Sequence, residues 1–98
     1  MKNLEEIESI LLKHKSGLRE RFGVKEIGIF GSYARNKQTE DSDVDILVEF
    51  EEGHKTFDNY IGLKFFLEEV LRLKVDLVLK NAVRREIKER IFSEAIYV

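Results

Sequence analysis

The sequence predicts a small α+β (α/β) fold, in which helices pack on one face of a mixed β-sheet. Three segments carry apolar residues at helical spacing, and three shorter segments are rich in β-branched and aliphatic residues. The 98 residues suffice for one hydrophobic core but not for two. We therefore expect residues 1–98 to form a single domain.

The first half of this fold is predicted to be a helix, a strand and a turn. Apolar residues in the segment 4–22 are separated by three, four and seven positions, which is typical of an amphipathic helix, and Gly23 would end it. In residues 24–30, isoleucines alternate with smaller or polar residues, which predicts a strand. This strand runs into Gly31-Ser32, a tight turn that opens a short helix.

The connection to the second strand decides the type of sheet. Residues 36–42 are polar and without periodicity, so they predict a loop, and Val44–Phe50 is apolar and β-branched enough to be a buried strand. Too few residues lie between the two strands for the crossover that a parallel pair needs. The first two strands are therefore predicted to be antiparallel, within a mixed sheet.

The second half contributes two helices and a third strand. A helix is predicted over Thr56–Leu71, with Thr56 or Asp58 as its N-cap, and a strand over Leu73–Lys80. The buried side of a last helix would carry Val83, Ile87 and Ile91. The tail, residues 95–98, is either a short edge strand or a docked segment.

Carboxylates begin the second and third strands. Asp43 and Asp45 are two positions apart and thus share a side of the second strand, and Asp76 has the same apolar sequence context as Asp45. If the two strands are neighbours in register, Asp76 lies about 5 Å from Asp45. Three converging carboxylates repel one another unless a divalent cation balances them, and oxygen ligands select Mg²⁺ or Mn²⁺. Asp-x-Asp alone is more often a solvated strand end.

The turn after the first strand has the features of an anion site. Backbone N–H groups, the Ser32 hydroxyl and a helix start meet there, and Gly31 allows close approach to the backbone. Arg35, one turn later, can reach a phosphate or pair with an acid. Ser42 can contact phosphate or merely end the loop. A Gly-Ser pair alone is usually an ordinary turn, but together with the three aspartates it indicates phosphate chemistry.

The segments GSYAR, SDVDILVEF and KVDLVL, in this order and spacing, resemble the minimal nucleotidyltransferases of the DNA polymerase β-like superfamily. The resemblance covers nearly the whole chain and implies the polymerase β-like nucleotidyltransferase core. It makes Gly31 and Ser32 the triphosphate-binding turn, and Asp43 and Asp45 the ligands of two Mg²⁺ ions, or of Mn²⁺. Asp76 becomes the third ligand, placed to help deprotonate the attacking hydroxyl. Asn36, where the family often has Gly, is a departure, although Asn tolerates a left-handed conformation.

Composition restricts the substrate. The formal net charge is −2, whereas proteins that grip long nucleic acids usually have a basic excess, so we expect no extended nucleic-acid binding. No apolar run is long enough to cross a membrane, and cysteine is absent, which favours a cytoplasmic setting. Small members of the family occur beside HEPN-type ribonuclease toxins. The resemblance thus implies an antitoxin that transfers AMP from ATP to a hydroxyl of the toxin, such as that of a tyrosine.

Two alternatives remain open at this stage. The apolar residues of the Phe57–Leu71 segment exceed the stripe that packing on a sheet requires, so they either complete the core or form a contact surface. In the second case the protein would neutralise its partner by binding alone, through Phe65 and Phe66. The other alternative is nucleotidylation of a small molecule.

Overall fold

A computed structural model describes residues 2–98. Its elements alternate between helices and strands over the whole of that range. In chain order they are α1 (Leu4–Phe22), β1 (Val24–Phe30), α2 (Gly31–Ala34), β2 (Val44–Phe50), α3 (Phe57–Leu71), β3 (Val75–Leu79), a 3₁₀ turn (Lys80–Ala82), α4 (Arg85–Glu94) and β4 (Ile96–Tyr97). No helix within residues 2–98 has both the length and the apolar character needed to span a bilayer.

The four strands form one mixed sheet in the order β3-β2-β1-β4. Strand β1 is antiparallel to β2 and to β4, whereas β2 and β3 are parallel. The predicted fold class and the antiparallel pairing of the first two strands are thereby confirmed. The tail is an edge strand, since Ile96 and Tyr97 pair with Ile29 and Gly28.

The ends of α1 and α3 follow local capping rules. Asn3 and Glu6 form a reciprocal capping box at the start of α1, and Gly23 ends the helix in the left-handed region at φ 73°. Thr56, one of the two candidate caps of α3, accepts a hydrogen bond from the backbone N–H of Asn59. These contacts explain why the predicted boundaries of α1 and α3 agree with the structure to within a residue.

The main core lies between the sheet and the helices α1 and α3. Alternate residues of β1, β2 and β3 point toward these helices, and all are almost completely buried. The central members of this core are Ile7, Leu11, Leu18, Ile27, Ile29, Ile46, Val48, Leu63, Leu67 and Leu77. One face of the sheet is therefore covered by two helices, as the sequence predicts.

Helix α4 corrects the expectation that all helices pack on one face. Its residue Ile91 packs with Phe30 and Leu47, whose side chains lie on the face opposite to the main core. The physical reason is that both faces of β1 and β2 carry apolar side chains, so the second face also needs cover. Of the predicted buried stripe of this helix, Val83 precedes the helix and Ile87 is 37% exposed, which leaves Ile91.

Candidate active site

Asp45 and Asp76 lie side by side on the sheet face that α4 partly covers. The parallel register of β2 and β3 pairs Asp45 directly with Asp76, as the sequence predicts. Asp45 alternates with the core residues Val44 and Ile46, so it points away from α1 and α3. Asp45 is half-buried, whereas Asp76 is exposed.

This arrangement changes the pKa of Asp45. Burial, followed by the negative charge of Asp76 and a side-chain hydrogen bond with it, raises the pKa of Asp45 to about 6. The charge of Asp43 acts in the same direction, and the guanidinium of Arg35 acts against it. The hydrogen bond requires a proton on one of the two carboxyl groups. The Asp45 carboxyl group therefore keeps its proton to a higher pH than an ordinary aspartate does.

Asp43 stands apart from this pair. It precedes β2 and is exposed, and its charge also raises the pKa of Tyr33, although burial of that phenol is the larger cause. Within residues 2–98 no three Asp, Glu, His or Cys side chains converge as a ready-formed metal site. The expected cluster of three is thus a contacting pair with a flanking third carboxylate, because uncompensated carboxylates repel one another.

The Gly31-Ser32 turn lies directly against Asp45. Gly31 has φ 73°, a conformation that L-residues rarely adopt, and a Cβ atom at this position would collide with the Asp45 carboxylate. Ser32, the second residue of α2, is half-buried. After Arg35, Asn36 adopts φ 57°, the left-handed conformation that was expected of a residue standing in for glycine. The predicted phosphate turn and the predicted carboxylates are therefore neighbours.

Glu94, near the end of α4, is a contact that sequence reasoning missed. Its Oε2 atom accepts a hydrogen bond of 2.7 Å from the backbone N–H of Gly31, 63 positions away in sequence. Both of its carboxylate oxygens also lie 3.1 Å from Nη1 of Arg35. Of the two roles predicted for Arg35, the structure shows the pairing with an acid. No local pattern around Glu94 signals this contact.

Ser42 closes the loop before β2. Its hydroxyl accepts a hydrogen bond of 2.9 Å from the backbone N–H of Thr39, and the two hydroxyl groups lie 3.3 Å apart. Of the two roles predicted for Ser42, the structure therefore shows the one that ends the loop.

An open cleft of about 460 Å³ lies between the Gly31 turn, the Asp45–Asp76 pair and α4. Its walls include Gly31, Arg35, Asp45, Asp76 and, from α4, Glu94. Two further cations line it, namely Arg84, which precedes α4, and Arg90 within α4. The cleft thus brings carboxylates and guanidinium groups together, which suits a ligand carrying both phosphates and a metal ion.

The two phenylalanines predicted for partner contacts have different environments. Phe65 is 61% exposed. Phe66 instead packs against the core, with its ring centroid 5.8 Å from that of Phe22 and 5.3 Å from that of His14. Phe66 is therefore partly buried between α1 and α3 and is less accessible than Phe65.

Known proteins are similar to this chain in sequence and in fold. The family model described as a nucleotidyltransferase domain matches residues 11–98. The protein adenylyltransferase MntA of Thermococcus cleftensis is 54% identical over 98 residues, which cover 100% of this chain and 98% of that protein. A solved structure described as a candidate minimal nucleotidyltransferase is 37% identical, covers 97% of this chain and 95% of its own, and superposes with a TM-score of 0.82.

A more distant structural neighbour shares the fold alone. It belongs to a complex of a tri-AMPylated Shewanella oneidensis HEPN toxin with an MNT antitoxin, and it is 19% identical with a TM-score of 0.66. The match covers 96% of this chain and 70% of that one. Since the family model spans residues 11–98 and the Thermococcus relative is matched over nearly its whole length, the chain belongs to the nucleotidyltransferase domain family, as one of its minimal members.

Proposed function

We propose that this protein transfers AMP from ATP to a hydroxyl group of a partner protein, and that the partner is a HEPN-type toxin. The observation that carries the proposal is the pairing of Asp45 with Asp76 beside the Gly31 turn. The target is supported by the name of the Thermococcus relative, a protein adenylyltransferase, and by the AMPylated toxin in the distant structural neighbour.

The reaction is an in-line displacement at the α-phosphorus of ATP. A new bond forms between the acceptor oxygen and phosphorus, the bond to the β-phosphate oxygen breaks, and pyrophosphate leaves. We assign to Asp76 the role of accepting the proton that the acceptor hydroxyl loses. Its carboxylate is exposed, so an incoming side chain can reach it. Ser32 and Arg35 would hold the triphosphate through hydroxyl and guanidinium groups, and Gly31 would let the phosphates approach the backbone.

The carboxylates fit a hard divalent cation. The pKa of Asp45 is raised by burial and by the negative charge of Asp76, as expected of a carboxylate that lacks a balancing positive charge. Asp45 and Asp76 would hold Mg²⁺ or Mn²⁺ together with Asp43, and phosphate oxygens of the nucleotide would complete the ligand set. When bound, two such ions supply electrostatic stabilisation of the charge that develops on the attacking and leaving oxygens.

Labelled ATP tests the activity. The protein is incubated with Mg²⁺, ATP labelled at the α-phosphate, and a HEPN-type toxin, and label on the toxin is followed by gel. We expect Asp43→Asn combined with Asp45→Asn to reduce the labelling rate by at least about 100-fold. Asp41→Asn is the matched control, since Asp41 is an exposed loop residue close in sequence. Absence of label with the unmodified protein, or undiminished labelling by the double variant, would refute the proposal.

Neutralisation by binding alone is a second candidate, favoured by one observation. Phe57 and Phe65 of α3 are 76% and 61% exposed, although large apolar side chains usually lose most of their accessible surface on folding. If binding alone protects the cell, Phe65→Ser should abolish neutralisation, while the Asp43→Asn, Asp45→Asn variant should retain it. The opposite result supports AMP transfer as the means of neutralisation.

A further inference from the structure

Helix α4 is held to the rest of the fold at few points. Ile91 packs in the small second core with Phe30 and Leu47, whereas every residue from Arg84 to Arg90 is exposed. The polar attachment near its end is Glu94, which bonds to Gly31 and Arg35. This helix nevertheless forms one wall of the cleft that contains Asp45 and Asp76. Its position therefore matters for whatever binds there.

The Glu94 contact joins Gly31, the first residue of α2, to Arg35, which follows α2 and is assigned to the triphosphate. The backbone N–H of Gly31 is one of the donors that a helix start leaves without a partner inside the helix. Glu94 takes this donor at 2.7 Å and holds Nη1 of Arg35 at 3.1 Å with the same carboxylate. The Glu94 side chain is only 17% exposed, whereas that of Arg35 is 51% exposed. The largely buried carboxylate of Glu94 thus holds the more exposed guanidinium group of Arg35 in place.

We propose that Glu94 is a positioning residue for nucleotide binding: it fixes the Gly31 turn and orients Arg35 toward the triphosphate, without touching the substrate itself. The inference rests on the proposed function, because it assigns the triphosphate to this turn. Arg35 has five N–H donors in a planar fork. Glu94 engages only the Nη1 end, so the other donors stay available on a guanidinium whose direction is already set. Less conformational freedom is then lost when the nucleotide binds.

The contact also fixes the direction of Arg35 in the cleft. Arg35 and Asp45 line the same cleft. Without Glu94, the guanidinium would lose its partner and its fixed direction. Removal of Glu94 should therefore weaken ATP binding, while the chemical step retains its own carboxylates.

The test compares Glu94→Ala and Glu94→Gln with the unmodified protein. Binding of a fluorescent ATP analogue with Mg²⁺ is measured on the protein alone, and kcat and KM for ATP are measured in toxin labelling. We expect Glu94→Ala to raise the Kd for the ATP analogue and the KM for ATP about 10-fold, because binding loses about one charge-assisted hydrogen bond. The kcat should change by less than about twofold, since the chemical step does not use this contact. Glu94→Gln retains an oxygen acceptor for the Gly31 N–H and should recover part of the loss.

Two further variants separate positioning from general stability. If Glu94 acts through Arg35, Glu94→Ala should have much less effect on the Kd in an Arg35→Gln background than in the unmodified protein. Glu89→Ala, at an exposed position of the same helix, is the matched control and should leave the Kd unchanged. Thermal unfolding of each variant shows whether a change in the Kd comes merely from unfolding.

The outcomes distinguish the two proposals. If the unmodified protein does not bind the ATP analogue, both the proposed function and the role of Glu94 are wrong. If it binds ATP and labels the toxin, while folded Glu94→Ala and Glu94→Gln bind ATP equally well, only the role of Glu94 is wrong. If Glu94→Ala weakens binding of the ATP analogue equally in the unmodified protein and in the Arg35→Gln background, positioning through Arg35 is likewise wrong.

Discussion

Asp45 and Asp76 are in-register partners on parallel strands, and the pKa of Asp45 is raised to about 6 by burial and by the charge of its neighbour. A protein with no use for this pair would be more stable without it. The ionised Asp45 carboxylate thus destabilises the fold above about pH 6. This cost has measurable consequences for stability, cation binding and the adjacent turn.

The first prediction concerns the pH dependence of stability. Because the pKa of Asp45 rises from 3.8 to about 6 on folding, the folded state binds a proton more tightly than the unfolded state between these values. The contribution of Asp45 to stability therefore falls as pH increases from about 4 to about 6 and stays low above that. Asp45→Asn removes this titration and should be more stable than the unmodified protein above pH 6, by roughly 1–2 kcal/mol, but not at pH 4.

Urea unfolding in EDTA at several pH values measures this difference. Asp41→Asn removes one carboxylate from an exposed loop and should show no comparable gain. A stability difference between Asp45→Asn and the unmodified protein that does not change with pH would contradict the assigned pKa.

The second prediction concerns cation binding. Mg²⁺ binds the deprotonated carboxylates, so it should raise the melting temperature more at pH 7.5 than at pH 5, with a gain that increases with its free concentration. In Asp45→Asn combined with Asp76→Asn, the gain should disappear. Differential scanning fluorimetry without nucleotide measures the effect. A gain that persists in the double variant would place the cation elsewhere.

The third prediction concerns the two glycines with similar backbone angles. Gly31→Ala should lose at least about 1 kcal/mol of stability, because alanine rarely adopts the positive φ of this position. Its Cβ atom should also displace the Asp45 carboxylate, so that the rate of AMP transfer falls sharply. Gly53→Ala is the control, because Gly53 has φ 81° but open space around it. It should lose stability similarly and retain activity. Equal activity of the two variants would show that the Gly31–Asp45 contact is dispensable.

The fourth prediction separates the two phenylalanines of α3. Phe65→Ala should change the free energy of unfolding by less than about 0.5 kcal/mol, because the side chain is 61% exposed. Phe66→Ala should lose roughly 2 kcal/mol or more, because the ring packs between Phe22 and His14. Chemical denaturation measures both. A large loss at Phe65 would mean that its surface is covered within the folded protein, which would weaken its assignment as a partner contact.

Local sequence patterns are sufficient for the elements whose ends are set by neighbouring residues. The boundaries of α1, β1 and β2 agree with the prediction, because Gly23 stops the helix and the apolar alternation defines the strands. The predicted third strand, residues 73–80, was too long at both ends. The strand comprises Val75–Leu79, since its first N–H bonds to Glu68 and a 3₁₀ turn begins at Lys80.

The carboxylate pair was accessible to sequence reasoning for a similar reason. Asp45 and Asp76 occupy equivalent positions in two similar apolar strands, and pairing in register then requires them to meet. The sequence by itself therefore determined the strands and the glycine turn, which depend on residues close together in the chain. It determined the carboxylate pair on the condition that the second and third strands pair in register, which the structure shows.

Only the tertiary structure decided which face α4 covers, that Phe66 packs against the core, and that Glu94 reaches Gly31 and Arg35. Glu94 and Gly31 are 63 positions apart, and nothing in the spacing of either segment links them. They meet because Ile91 must cover Phe30 and Leu47, and this packing brings the end of α4 to the turn. Contacts that result from burying apolar surface between distant segments depend on the whole fold, and local periodicity carries no record of them.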